Sequence, residues 1–253
     1  QRKIIHVWLL ATLMVVNLNS QQISVSQFPL MDLMPSNSVQ RVYQDQDGFL
    51  WFGTLDGLCR YDAYRIHVFR SDFNHPELLT NNEVTCLTED KTGNLWIGTH
   101  YGLNLLNKKN YQISRFHHQE LLHQQIRSIL VASDSSIWVA GETNIYRYNP
   151  DLTLRNSYSA NANEGGLPGS GINSIYEDLY GSIWITFWRS GLYKYQKEDD
   201  SFIQFPPVGK QNNPFKLFQD QHKQYWIGTW GDGLFLFNPN SNEQSIYTPL
   251  NVI

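Results

Sequence analysis

The chain has 253 residues, of which 41% are hydrophobic, 14% aromatic and 17% charged. An apolar share of that size with so few charges excludes a disordered tail, a collagen-like fibre and a coiled coil. Nineteen Lys and Arg against 23 Asp and Glu give a net charge of -4. That argues against a nucleic-acid partner, because such binding rests on many cationic contacts to phosphate. Two cysteines cannot build a disulfide framework.

In chain order, the first element is a leader. Arg2 and Lys3 precede an apolar stretch over residues 4–18, and a polar segment begins at Asn19. This is the layout of a secretory signal peptide over residues 1–20. An uncleaved membrane anchor is the rival, but 15 apolar residues are short of the roughly 20 that a span needs.

Five tryptophans then recur with a period. Trp51, Trp96, Trp138, Trp184 and Trp226 are separated by 45, 42, 46 and 42 residues, in the strings DQDGFLWFGT, DKTGNLWIGT, ASDSSIWVAG, DLYGSIWITF and DQHKQYWIGT. A self-similar period of about 40–50 residues is the size of a four-stranded propeller blade. Twelve and nine residues before each Trp stand Val39 and Val42, Val84 and Leu87, Ile126 and Ile129, Ile172 and Ile175, and Pro214 and Leu217. These positions predict a first strand in constant register. A third strand repeats from Gly57-Leu58, Gly102-Leu103, Asn144-Ile145, Gly191-Leu192 and Gly233-Leu234. A fourth is expected around Val68-Phe69, residues 113–116, 154–158 and 202–205, and Ile246-Tyr247. The stretch 117–126 (HHQELLHQQI) reads as a loop.

Six residues before the Trp, Asp45, Asp90, Asp178 and Asp220 recur, with Ala132 the exception. Such an Asp, followed by Gly three residues before the Trp, suits a tight turn in which the carboxylate accepts turn amides and Gly supplies positive φ. The Trp is expected to fill the wedge between blades. These Asp and Trp residues are therefore read as structural, not as acids, bases or metal ligands.

The strings DQDGFLWFGT...GLCRYD, DKTGNLWIGT...GLNLLN and DQHKQYWIGT...GLFLFN resemble the two-component regulator propeller repeat, over nearly all of residues 22–253. The third copy departs most, with Ala132, Ser135, Ala140 and Asn144 at the usual Asp, Gly, Gly and Gly positions. The resemblance implies an all-β propeller serving as the periplasmic sensor of a transmembrane regulator, most often a hybrid histidine kinase of glycan-using bacteria. It also implies seven blades, and kinase, receiver and DNA-binding parts outside this chain. WD40 repeats are disfavoured because no Trp-Asp dipeptide occurs. A lyase-like propeller of the streptogramin-inactivating type is a closer rival.

Residues 23–28 (ISVSQF), within a segment 22–37, read as a spare outer strand for a blade absent from the chain. Blades are expected at about 38–80, 81–122, 123–168, 169–210 and 211–253, forming five blades of an incomplete ring. A closed five-bladed ring is the alternative.

Loops from second to third strand share a face with the connections between blades. On that face stand His100 and Tyr101, Trp188 and Arg189, and Trp230 and Asp232. Trp188 and Trp230 each lie four residues after a core Trp in neighbouring blades, so they are expected as adjacent flat platforms. Aromatic faces beside an Arg and an Asp suit an oligosaccharide. The bland reading is that they pack loops together or against a partner.

Catalytic signals are poor: the lone G-x-G at Gly169 to Gly171 lacks its strand and helix. His117, His118 and His123 crowd one loop without metal-ligand spacing. No cofactor or metal is expected, and Cys59 and Cys86 are read as buried thiols. The expected function is a periplasmic ligand-sensing module that carries no enzyme activity itself. It would contact the membrane only through the leader or through parts outside this chain, and would pair as a homodimer through the full periplasmic region. The alternative is a secreted propeller enzyme.

Overall fold

A computed structural model describes residues 30–119, 121–160, 166–167, 169 and 171–247. The leader, and the strand expected at 23–28, lie outside the described residues. Of the segment 22–37, the described part holds a 3-10 turn at Met31–Leu33.

Alternating apolar positions, punctuated by Asp, Asn and Gly turns, fold into four-stranded antiparallel sheets in simple up-and-down order. Blade 1 holds β1 (Val39–Gln44), β2 (Leu50–Thr54), β3 (Gly57–Tyr61) and β4 (Ile66–Phe69). Blade 2 holds β5 (Val84–Glu89), β6 (Asn94–Thr99), β7 (Gly102–Asn107) and β8 (Ile113–Arg115). Blade 3 holds β9 (Ser128–Val131), β10 (Ile137–Ala140), β11 (Asn144–Tyr148) and β12 (Leu154–Ser159). Blade 4 holds β13 (Ile172–Glu177), β14 (Ile183–Phe187), β15 (Gly191–Gln196) and β16 (Ser201–Gln204). Blade 5 holds β17 (Pro214–Gln219), β18 (Tyr225–Thr229), β19 (Leu234–Asn238) and β20 (Glu243–Ile246). The fold is thus a β-propeller of five blades, as the period indicates. Two edges differ from expectation. Ile126 precedes β9 because its backbone is taken by neighbours, its N–H donating to Thr99 O and its O accepting Thr85 Oγ1–H. Gly233 precedes β19 because its carbonyl accepts Thr229 N–H and closes the loop.

The turn between first and second strands explains the Asp and Trp together. Asp45 Oδ1 accepts Phe49 N–H at 2.9 Å, and Oδ2 accepts the indole N–H of Trp51 at 2.8 Å. The same indole bond recurs from Trp96 to Asp90 at 3.0 Å, from Trp184 to Asp178 at 2.8 Å and from Trp226 to Asp220 at 2.8 Å. Blade 3 rebuilds it differently. Trp138 Nε1–H donates to Ser136 Oγ at 3.1 Å, and Ser136 in turn donates to Asp134 at 2.5 Å. The turn position with positive φ is Gly48 (88°), Gly93 (84°) and Gly181 (77°), but Ser135 (66°) and Lys223 (65°) in the two departing copies.

Four of the five core Trp residues are wedges into the following blade. Trp51 packs with Val84, Leu95 and Ile97; Trp96 with Ile129, Ile137 and Val139; Trp138 with Ile172, Ile175 and Ile185; Trp184 with Leu217, Ile227 and Phe235. Burying one indole contributes on the order of 5 kcal/mol before entropy is counted. Trp226 has no such cover among the described residues and is only half-buried. At the same end Phe218 is 57% exposed, and at the other end Val42 is 61% exposed.

A polar clasp accompanies each wedge, from a residue seven before the Trp to a turn amide of the preceding blade. Glu89 Oε2 accepts Gln46 N–H at 2.9 Å, Glu177 Oε2 accepts Ser133 N–H at 2.7 Å, and Gln219 Oε1 accepts Leu179 N–H at 2.9 Å. Val131 cannot do this for blade 2, where Lys91 Nζ reaches Ser133 O at 2.7 Å instead. Between blades 1 and 2, Lys108 Nζ adds ion pairs to Asp45 (3.2 Å), Asp47 (2.7 Å) and Glu89 (2.6 Å).

Cys59 and Cys86 are free and buried. Burial pushes each thiol up to about 11. The native chain is therefore expected to leave both unreactive toward a thiol-specific disulfide reagent at pH 8, and to yield two reactive thiols in denaturant. Fast labelling of either in the native state would contradict this packing.

Candidate functional site

Up-and-down blades put the turns β1–β2 and β3–β4, and their equivalents, on one face. The loops between second and third strands share the other face with the interblade linkers. Thr54 pairs with Gly57 and Thr99 with Gly102, leaving two-residue loops in blades 1 and 2. Phe187 pairs with Gly191, so blade 4 has a three-residue loop, Trp188-Arg189-Ser190, with Arg189 at a φ of 57°. A residue in this left-handed region is common in three-residue hairpin loops. The blade 5 loop is longer too, running from Trp230 to Gly233. Trp188 and Trp230 therefore both stand on lengthened loops.

A single buried residue holds the two loops together. Asn213, 4% exposed, accepts Trp230 N–H through its backbone oxygen at 3.0 Å and Arg189 N–H through Oδ1 at 2.6 Å. Trp188 N–H donates to Gly171 O at 2.7 Å. The rings of Trp188 and Trp230 lie 6.1 Å apart at 63°, with exposures of 37% and 61%. They meet edge to face, not as coplanar platforms, because each ring's positive rim favours the other's negative face. The Arg189 guanidinium sits 6.0 Å over Trp188. Asp232 is already engaged, its Oδ2 accepting Gln211 N–H at 2.7 Å.

His100 and Tyr101 sit two blades away, on blade 2. There His100 Nδ1 lies 3.7 Å from Glu83 Oε2, and Tyr101 packs on His123 at 4.7 Å. His118 packs against Tyr146 and Tyr148 at 5.9 and 5.4 Å. The structure thus joins Trp188, Arg189 and Trp230 and leaves His100 and Tyr101 as a separate patch. Sequence reasoning missed Asn213 and Phe215, whose ring is 6.3 Å from Trp230. In the register of the core Trp, Asn213 matches Glu83, whose backbone oxygen likewise accepts the N–H four residues after the Trp, that of His100, at 2.9 Å, so the backbone half of the brace is a repeated feature and only the Asn213 side chain sets blade 5 apart.

The family model for the two component regulator propeller matches residues 33–56 and 78–101, which span the Asp-turn and core Trp of blades 1 and 2. These are two component regulator propeller repeats. The fold is similar to the extracellular domain assigned to a hybrid two component system of B. thetaiotaomicron, with 25% identity and a TM-score of 0.73. That match covers 84% of this chain and 30% of the other. A second B. thetaiotaomicron extracellular domain, assigned to a one component system, has 22% identity and a TM-score of 0.71, covering 85% and 32%. Virginiamycin B lyase from Staphylococcus aureus shares the fold at 14% identity and a TM-score of 0.65, covering 85% and 71%. The chain therefore spans about a third of the length of the extracellular domains it resembles. No curated protein matches its sequence. Among the described residues no helix is long and apolar enough to cross a membrane.

Proposed function

We propose that this regulator propeller is the exported, periplasmic sensing module of a transmembrane two-component regulator, and that it contacts an oligosaccharide through Trp188, Arg189 and Trp230. The observation that carries the reading is the pair of exposed indoles on loops pinned by Asn213. Exposed aromatic surface held rigid by a buried side chain loses little entropy on binding, which is what a ligand contact needs. An oligosaccharide offers apolar C–H faces to the rings and hydroxyls to Arg189. Similarity to extracellular domains of two component systems supports the sensing role. The fold shared with a lyase carries no residue constellation with it, so an enzyme remains the weaker reading.

The test is a glycan array probed with the full chain, followed by titration of the best neutral oligosaccharide against wild type and the double variant Trp188→Ala/Trp230→Ala. Loss of each stacking contact is expected to weaken binding at least about tenfold in total, with a melting temperature close to wild type because both rings are exposed. Undiminished binding by the double variant would remove the site, and failure of any glycan to bind would remove the substrate class.

A further inference from the structure

On the turn face, away from Trp188 and Trp230, a cleft of about 900 Å3 opens between blades 4 and 5. Its chemistry stands out when the blades are superposed by register. The residue paired across the hairpin from the core Trp is Arg60 in blade 1, Arg147 in blade 3 and Lys194 in blade 4. Each places its cation on an aromatic ring. Arg60 lies 4.4 Å over Phe49, Arg147 lies 4.8 Å over Trp138, and Lys194 Nζ lies 5.2 Å over Trp184.

The first two also hold a carboxylate, Arg60 to Asp62 at 3.4 Å and Arg147 to Asp134 at 3.2 Å. Their grooves are narrower: Tyr111 lies under Arg60, and beside Arg147, where Tyr195 donates to Asp200, the cleft is about 290 Å3. Lys194 has no ion pair among the described residues, and its groove is the open cleft. A second ammonium, Lys223, reaches the same cleft 5.7 Å over the exposed Tyr180 ring, also without a carboxylate partner. The carboxylates in the wall are committed. Asp178 accepts four hydrogen bonds, from Trp184, Tyr225, Ser182 and Tyr180, and Glu243 accepts one from Ser241.

We propose that this cleft binds an acidic oligosaccharide of the uronate class, a ligand carboxylate taking at Lys194 the place that Asp62 and Asp134 take at Arg60 and Arg147. Lys223 receives a second carboxylate, and the rim amides of Gln224, Asn238 and Asn240 offer paired donors and acceptors to vicinal hydroxyls. The cleft has room for several sugar units by the usual size of ligand sites. The choice of a sugar scaffold rests on the glycan-sensing reading, whereas the requirement for a carboxylate rests on the cleft alone.

The full chain is titrated calorimetrically with tetragalacturonate and with a neutral tetrasaccharide of the same length. Tetragalacturonate is expected to bind, more weakly as salt rises, and to lose on the order of tenfold in affinity in Lys194→Gln/Lys223→Gln. Lys194→Arg is expected to retain it. If the double variant melts early because Lys194 covers Trp184, Lys223→Gln alone still decides, since Lys223 is exposed. The proposal falls if the neutral sugar binds equally well, if the lysine variants bind as wild type, or if tetragalacturonate fails to bind. Loss in Trp188→Ala/Trp230→Ala with no loss in the lysine variants would assign the ligand to the other face and overturn the cleft while sparing the glycan reading.

Discussion

Replacing Lys108 with Met is expected to destabilise the chain by about 3–5 kcal/mol, the usual cost of stranding a buried charge. The ammonium serves Asp45, Asp47 and Glu89 at once, and the Asp45 and Glu89 side chains are 0% and 1% exposed. Without it two buried carboxylates face each other with no cation. Urea denaturation at pH 7 would show the loss, with a fall in melting temperature on the order of 10 °C. The penalty is pH-dependent with a defined sign. Burial alone would raise the Asp45 carboxyl, but hydrogen bonds from Trp51, Lys108 and Phe49 outweigh it and hold it below its ordinary 3.8. A carboxylate lowered in the folded state stabilises above the unfolded value and loses that contribution as pH falls through the folded one. The gap between wild type and Lys108→Met should therefore be full at neutral pH and narrow below about pH 4. A gap unchanged across that window would show that the loss does not come from the ionised carboxylates.

The second large effect is Asp178→Ala. This carboxylate accepts the Trp184 indole N–H and the Tyr225 hydroxyl, both at 2.8 Å, and the Ser182 and Tyr180 amides, both at 2.9 Å. Alanine leaves a buried indole N–H and a buried phenol without an acceptor, at roughly 1–3 kcal/mol each, so a loss of about 3–5 kcal/mol is expected. Asp220→Ala makes the internal comparison. It removes the same indole bond, but Trp226 is half-buried and Asp220 accepts from no tyrosine among the described residues. Its cost should stay near 1 kcal/mol, as for a solvated hydrogen bond. Equal losses for the two would mean that the turn, and not the wedge, sets the energy.

How much of this was legible in the sequence follows from distance along the chain. The Trp recurs in all five copies, the aliphatic first-strand pair and the Asp in four and the turn Gly in three, and all are local patterns, so the blades could be read directly. The indole bond was half-visible: Asp and Trp six residues apart suggested a turn, but their contact depends on the hairpin register. The clasps were invisible, because Glu89, Glu177 and Gln219 look like ordinary polar strand positions until a partner some forty residues earlier is placed beside them. Blade 3 was misleading for a related reason. Ala132 looks like a lost acid, yet Asp134 restores it two residues later through Ser136. The site shows the same divide. Trp188 and Trp230 stood out, whereas their edge-to-face meeting and the Asn213 brace depend on side-chain geometry between blades. The kinship of Lys194 with Arg60 and Arg147 is blurred by the extra loop residue of blade 4, which shifts the spacing from the Trp from nine to ten.

The clasp also gives the stack of blades a direction. In each of the three clasps the later blade accepts an amide from the blade before it, and blade 4 both accepts one from blade 3 and offers one to blade 5. At one end Gln44 has no such donor among the described residues and turns its Nε2–H to Gly48 O. At the other, Gln221 N–H has no such acceptor among them. The two end surfaces are therefore unlike, one a side-chain acceptor beside uncovered aliphatics, the other an amide donor beside an uncovered indole. A twofold axis relates identical surfaces, so neither end can satisfy its own copy across such an axis. Whatever covers one of these described end surfaces therefore meets it head to tail, with a surface unlike its own.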